Sequence, residues 1–122
     1  MKNYRYYNRN PYDIRINDCV CRAISTATNL SYIAVDRLLS KTAKRNKCAK
    51  LCVCCYDNLL SGKLGYQKYK CKNGETVADI VKSFPNNKLI IRIDGHLTSA
   101  AYGMLYDTWN CSDKIVDCFW II

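Results

Sequence analysis

One cysteine and one histidine in this sequence have the local setting of a thiol nucleophile and its base. Cys19 falls in the first turn of a predicted helix, where free backbone N–H groups and the helix dipole favour a thiolate. His96, the only histidine, opens a predicted strand, and an imidazole can accept a thiol proton near neutral pH. Taken alone, each residue also fits a structural role, since cysteine is common in cores and eight others compete.

A predicted hairpin strengthens the case for His96. Residues 97–101 and 104–109 alternate as strands, and Tyr102-Gly103 suits a two-residue turn between them. With that turn, position 101 faces 104, position 98 faces 107 and position 96 faces 109. A slip of one residue would reverse the faces, so the argument depends on this register.

In this register an acidic residue lies beside the histidine. His96, Thr98, Leu105, Asp107 and Trp109 share one face of the hairpin, with Asp107 diagonal to His96. A carboxylate that holds the base in one tautomer is the third member of a catalytic triad. Trp109, directly opposite His96, is expected to shield their hydrogen bond from water.

The elements that position these residues begin with helices. From Cys19 the apolar residues fall at i, i+3, i+4 and i+7, at Val20, Ala23, Ile24 and Ala27. Asn17 or Asp18 can cap this helix and Asn29 can end it. Ser31 is a candidate N-cap for a second helix, whose predicted buried side is Tyr32, Val35, Leu38 and Leu39.

Two shorter helices and a set of strands complete the prediction. A third helix is expected near residues 50–60, and Thr76 with Asp79 resembles a capping box for a fourth that extends to about Ser83. Strands follow, at residues 89–93, 97–101, 104–109 and 115–122. The order predicts one α+β domain over residues 1–122, with N-terminal helices and a C-terminal antiparallel meander; residues 1–11 are expected to form an extended arm or loop.

The composition of the chain limits the cellular compartment in which we expect the protein. No basic start leads into an apolar signal segment, and no apolar stretch is long enough to span a membrane. Nine cysteines, an odd number, are more typical of reduced thiols than of a disulfide framework. We therefore expect a cytoplasmic protein without a membrane partner.

Positive charge is concentrated in residues 37–72, which hold ten Lys or Arg and one acid, Asp57, against a chain total of +9. Such a block could bind an anionic partner, or could form a solvated surface.

The same region contains Cys48, Cys52, Cys54 and Cys55. Cys52 and Cys55 have the CxxC spacing of a zinc knuckle, which Cys71 could extend, yet helical spacing would make them ordinary core residues; no metal or other cofactor is predicted.

Two separated segments carry a family resemblance. The string from Asn17 to Ile24, NDCVCRAI, followed by Ala27-Thr28 and Tyr32, resembles the nucleophile helix of small papain-like cysteine proteases of bacteriophages and bacteria. Gly95-His96-Leu97, the string 106–109 (YDTW) and the closing Phe119-Trp120 resemble the histidine and acidic strands of the same group. The group is related in fold to bacteriocin-processing peptidases.

The resemblance implies a papain-like fold and a Cys19, His96 and Asp107 triad, in host cytoplasm if a phage encodes the chain. Such enzymes often place an oxyanion-hole glutamine six residues before the nucleophile, but this chain has Asp13 there. An aspartate would repel the developing oxyanion. Asn17, together with the Cys19 backbone N–H, is the alternative donor.

Two function hypotheses follow. The first is a cysteine hydrolase, by default a peptidase, that forms a thioester acyl-enzyme, with isopeptide cleavage or acyl transfer as variants. The second is an inactive papain-like protein that binds nucleic acid or a host factor through residues 37–72.

Overall fold

In a computed structural model that describes residues 3–12 and 18–122, the predicted nucleophile helix α1 spans Cys19–Thr28. Its apolar stripe is buried, with Ile24 and Ala27 almost completely inaccessible. Asn29 ends the helix in the left-handed conformation at φ 61°, as predicted. Asp18 precedes the first helical residue but its carboxylate caps no backbone N–H, because that side chain has other partners.

The second helix, α2, spans Tyr32–Asn46. The Ser31 hydroxyl accepts a hydrogen bond from the Ala34 N–H at 3.1 Å, which confirms the predicted N-cap. Val35 and Leu39 are fully buried, and Tyr32 and Leu38 are half-buried. The predicted buried side of this helix is therefore correct.

The third predicted helix is shorter than expected and changes type. Helix α3 spans Val53–Asp57 and continues as a π-helical segment over Asn58–Lys63. Helix α4 spans Val77–Ser83, and Thr76 and Asp79 exchange both hydrogen bonds of the predicted capping box.

The described residues form a six-stranded mixed sheet in the order β1-β5-β4-β3-β6-β2. Its strands are, in chain order, Tyr4–Tyr6, Gln67–Lys70, Lys88–Ile93, His96–Ala101, Met104–Asp107 and Val116–Ile121. Together with the four α-helices of these residues, the sheet confirms the α+β class.

The predicted antiparallel meander is only partly correct. Strands β3, β4 and β5 are consecutive antiparallel neighbours, but β6 pairs with the far edge of β3 instead of with β5. The edge of β5 that this leaves is covered by β1, which runs parallel to it. Residues 4–6, predicted as arm or loop, are thus a strand, as are residues 67–70, for which no strand was predicted.

Helices cover both faces of the sheet. Residues of α1, α2, α3 and the π-helical segment pack with Ile90, Leu97, Cys118 and Trp120 on one face. Helix α4 packs against Leu89, Ile91 and Phe119 on the other face. Helix α1 packs on β4, and Cys19 at the start of α1 lines a common cleft with His96 at the start of β4.

The turn between β4 and β5 has the predicted register, with Ala101 facing Met104 and Ala100 facing Leu105. Tyr102 and Gly103 have φ values of 52° and 82°. Positive φ at both turn residues is the geometry of a type I′ hairpin. Strand β5 ends at Asp107, two residues before the predicted end.

None of the helices in the described ranges, 3–12 and 18–122, has both the length and the apolarity needed to cross a membrane.

Gly103→Ala should lower the free energy of unfolding by about 1 kcal/mol, because an L-residue at φ 82° is strained. The added Cβ would meet only Pro85 Cα at 4.0 Å, so a steric clash is not the cause. Gly62→Ala is the matched control, since Gly62 is helical, has open space around it and should gain up to about 1 kcal/mol. Urea unfolding measures both, and equal losses would contradict the turn assignment.

Candidate active site

His96 begins β4 and points toward Asp107 at the end of β5. The imidazole Nε2–H donates to the Asp107 Oδ2 at 2.6 Å. Gly95, at φ 68°, forms the turn that leads into this strand. The contact expected from the hairpin register between the histidine and the aspartate is therefore present.

Asp107 is a buried carboxylate, 4% exposed. Its Oδ2 also accepts from the Thr98 hydroxyl at 2.6 Å, and its Oδ1 accepts from the Thr108 N–H at 2.7 Å. Burial opposes ionisation, but hydrogen bonds from His96 and Thr98 and the imidazolium charge outweigh it and lower the pKa of Asp107. The carboxylate is thus kept negative beside the ring.

Cys19 is half-buried at the start of α1. Burial alone would raise the pKa of its thiol, but a hydrogen bond with the His96 side chain and one from the Leu97 backbone N–H reverse the shift. The positive charges of His96 and Arg22 act in the same direction. The net result is a thiol pKa below the ordinary value, which favours the reactive thiolate.

The imidazole has the opposite shift. Burial disfavours its charged form, yet hydrogen bonds with Asp107, Cys111 and Cys19 raise the pKa of His96 to about 11. Because Nε2 is bonded to Asp107, Nδ1 is the ring nitrogen that remains for the thiol. A lowered thiol pKa beside a raised imidazole pKa favours a thiolate–imidazolium pair at neutral pH.

Trp109 lies against the imidazole, as the predicted face requires. The two ring centroids are 5.0 Å apart and the planes are tilted by 54°. The indole remains 38% exposed, so it covers the imidazole while it still contacts solvent.

A cleft of about 410 Å³ opens beside Cys19 and His96. Its lining is mostly apolar and comprises Cys19, Val20, Leu51, Cys52, Val53, Tyr56, Arg92, Ile93, Gly95, His96 and Leu97. A second cleft of about 620 Å³ shares Val53, Arg92, Ile93 and Gly95 with the first. The two clefts therefore adjoin, and the first of them is the one lined by Cys19.

The segment 51–53, which forms one wall of the cleft, was not among the residues predicted from the sequence. It leads into α3, whose first residue is Val53, and comes from a different part of the chain than the strand that holds His96. Leu51 and Val53 are exposed apolar side chains, a property that the sequence alone does not show. Their position at the cleft depends on how the turn before α3 packs.

Sequence reasoning also missed a buried ion network next to the site. The Arg22 Nε donates to the Asp18 Oδ1 at 2.6 Å, and its Nη1 donates to the Asp107 Oδ1 at 3.1 Å. Asp18 further accepts from the Tyr32 hydroxyl at 2.8 Å and from the Asn10 amide at 3.1 Å. The i,i+4 spacing of Asp18 and Arg22 could have indicated their pair, whereas the contact with Asp107 requires the fold.

The predicted oxyanion donor Asn17 lies outside the described residues, as does Asp13. The other predicted donor, the Cys19 backbone N–H, belongs to the first residue of α1. Helix-initial N–H groups have no partner within their helix.

The cysteine-rich region is divided between two environments. Cys54 is exposed and Cys48 and Cys52 are partly buried, whereas the buried Cys55 thiol donates to the Leu39 carbonyl at 3.4 Å. Cys71 packs in the core on the opposite face of the sheet from Cys48 and Cys52. The suggested addition of Cys71 to a zinc site is therefore wrong.

Within residues 3–12 and 18–122, one group of three potential metal ligands converges, namely His96, Asp107 and Cys111, with ligand atoms within 4.8 Å of one another. Asp107 and Cys111 are buried, and the Asp107 Oδ2 already accepts from His96 and Thr98. The Cys111 thiol also lies 3.9 Å from this oxygen, so the three side chains belong to the hydrogen-bond network around Asp107.

Comparison of the chain with models of protein families, with curated proteins and with solved structures finds no match. The case for a function therefore depends on the site itself and on the two sequence segments that resemble papain-like proteases.

Asp107→Asn should lower the pKa of His96 from about 11 toward its ordinary 6.5, because the hydrogen bond to a carboxylate and the negative charge are lost. NMR of the single histidine ring measures this titration directly. Since the folded-state pKa is raised, the stabilisation due to His96 should be complete below pH 6.5 and lost as the pH rises toward 11.

The matched control is Asp113→Asn, which removes an exposed acid six positions further along the chain. This variant should leave the titration of His96 unchanged. A His96 pKa near 6.5 in the wild-type protein would contradict the described contact with Asp107.

Proposed function

We propose that the protein is a papain-like cysteine hydrolase, with peptide bonds as its substrate. The observation that carries the proposal is the position of His96, whose Nε2 hydrogen-bonds Asp107 at 2.6 Å and which lines the same cleft as Cys19. In a catalytic triad the base lies between the nucleophile and the carboxylate that orients it. The papain-like resemblance of both chain segments supports the same function.

In the proposed reaction the Cys19 thiolate attacks the carbonyl carbon of a bound peptide. The His96 imidazolium then gives its proton to the leaving amine, which departs and leaves a thioester on Cys19. The neutral imidazole next takes a proton from water, whose oxygen attacks the thioester carbonyl. Release of the carboxylic acid restores the thiolate and the imidazolium.

The other proposed roles concern orientation and charge. Asp107 keeps the imidazole in the tautomer that directs Nδ1 to the thiol, and it stabilises the imidazolium. Trp109 holds the ring from its face and limits the access of water to the His96–Asp107 bond. Asn17 and the Cys19 N–H are the proposed donors to the oxyanion.

The cleft supports a peptide rather than a small polar substrate. Its lining next to Cys19 is largely apolar, and the adjoining cleft extends the surface beyond Val53 and Ile93. The apolar cleft beside Cys19 suits an apolar side chain of an extended segment, while the adjoining cleft also has charged lining residues, among them Lys72, Asp94 and Asp117. Transfer of the acyl group to another amine is the variant in which water is excluded from the second step.

Cys19 should react with iodoacetamide at neutral pH faster than Cys54, although Cys54 is exposed and Cys19 is half-buried. The reason is that thiolate content, rather than exposure, determines the rate. Mass spectrometry of tryptic peptides measures both rates in one sample. His96→Ala should slow the labelling of Cys19 and leave that of Cys54 unchanged.

Equal rates for Cys19 and Cys54, or a Cys19 rate that does not respond to His96→Ala, would defeat the enzyme proposal. A peptide library incubated with the wild-type protein and with Cys19→Ala tests turnover itself. Cleavage should depend on Cys19.

A second candidate function is the binding of an anionic partner, nucleic acid or a host factor, by the basic surface. This candidate is supported by a set of exposed cationic side chains that form no ion pair within the described residues: Arg37, Lys41, Lys44, Arg45 and Lys47. Two other basic groups of residues 37–72 are neutralised, since Lys50 pairs with Asp36 and Lys68 pairs with Asp57 at 2.6 Å.

For this candidate, a fluorescent double-stranded DNA should bind with an affinity that falls steeply with salt. The double variant Lys41→Glu/Arg45→Glu should abolish binding, whereas Cys19→Ala should not change it. Fluorescence anisotropy measures the affinity. Binding that is insensitive to salt or to the double variant would exclude this surface as the nucleic-acid site.

A further inference from the structure

Arg22 is a buried cation in direct contact with the proposed catalytic carboxylate. It is 9% exposed, and its Nη1 donates to the Asp107 Oδ1 and to the Thr108 hydroxyl, each at 3.1 Å. Apart from His96, it is the only cationic side chain that the described residues place on Asp107. The two oxygens of Asp107 therefore have different partners, with Oδ2 left to the imidazole and the Thr98 hydroxyl.

The same guanidinium reaches the residue that precedes the nucleophile. Its Nε donates to the Asp18 Oδ1 at 2.6 Å, and Asp18 is adjacent to Cys19 at the start of α1. Asp18 is itself fixed by Tyr32 and Asn10. Arg22 thus joins the start of the nucleophile helix to the end of β5, which lies 85 residues away in the chain.

We infer that Arg22 is a positioning residue of the proposed cysteine hydrolase, which fixes Asp107 through Oδ1 and thereby sets His96 relative to Cys19. The inference rests on the proposed function. Arg22 touches neither the substrate nor the reacting atoms in this assignment. Its effect reaches Cys19 through the carboxylate and the imidazole.

Arginine suits this role better than lysine would. A guanidinium presents several N–H donors in one fixed plane, and Arg22 uses separate nitrogens for Asp18 and for Asp107. A lysine ammonium would have to serve both carboxylates from a single point. The positive charge of Arg22 also helps to lower the pKa of the Cys19 thiol.

A purely structural role is the alternative, since breaking a buried ion pair by removing one partner destabilises a fold. The two roles differ in one readout. Loss of stability alone lowers the melting temperature without a change in the protonation of Cys19. Loss of positioning changes the pH at which Cys19 becomes reactive.

The test is the rate of Cys19 alkylation against pH in wild-type protein, Arg22→Gln and Arg22→Lys, each at a temperature where circular dichroism confirms the folded state. For Arg22→Gln we expect the midpoint of the profile to move up by about one pH unit, with about tenfold less labelling at neutral pH. Arg22→Lys should recover part of this loss. Arg37→Gln, which removes an exposed arginine, should have no effect.

If Arg22→Gln does not fold, Asp18→Asn/Arg22→Gln replaces it. In the double variant the Asp18 carboxylate is also removed, so that only Asp107 is left without its arginine partner. The expected shift is the same. A folded Gln variant with the wild-type profile overturns the inference, even if its melting temperature is lower.

The outcome also separates this inference from the proposed function. If Cys19 of the wild type reacts no faster than Cys54, the hydrolase proposal fails. If Cys19 is fast in the wild type and equally fast in the Gln variant, the hydrolase proposal stands and only the role of Arg22 is lost.

Discussion

The structure of this site depends on one buried carboxylate. Asp107 is removed from water, and a carboxylate in such a place is costly unless its oxygens are paired and hydrogen-bonded. Its partners come from separate parts of the chain: His96 and Thr98 from β4, Arg22 from α1, and the Thr108 N–H that follows β5. The hydrogen bonds that satisfy Asp107 therefore join α1, β4 and the end of β5.

The remaining architecture keeps these elements in place. The type I′ turn at Tyr102-Gly103 sets the register that brings Thr98 and Asp107 together. Helix α1 packs on β4 through its apolar stripe, which holds Cys19 near the imidazole. The turn before α3 then closes one wall of the cleft with Leu51 and Val53. Local turn geometry and core packing thus act together on one small site.

Features that depend on local sequence could be predicted. The Ser31 cap, the capping box of Thr76 and Asp79, and the register of the hairpin all follow from side chains a few residues apart. The contact between His96 and Asp107 followed from that register. This contact could be predicted because a two-residue turn allows few alternative registers of the hairpin.

Features that depend on distant segments could not be predicted in the same way. Nothing local decides that β6 adds to β3, or that residues 4–6 pair with β5, because either edge of a small sheet can accept a strand. The ion pair of Arg22 and Asp107 joins residues 85 positions apart. The cleft wall from residues 51–53 likewise depends on tertiary packing. The papain-like assignment itself remains a proposal.

The central claim is that Cys19 is a thiolate paired with a protonated His96 at neutral pH. A pH titration of thiolate ultraviolet absorbance, taken as the difference between the wild type and Cys19→Ser, isolates the ionisation of this one thiol among nine. The account predicts that the difference signal appears well below the ordinary thiol pKa of 9.0 and that His96→Ala moves it upward. A difference signal that appears only at or above pH 9.0, in both proteins, would contradict it.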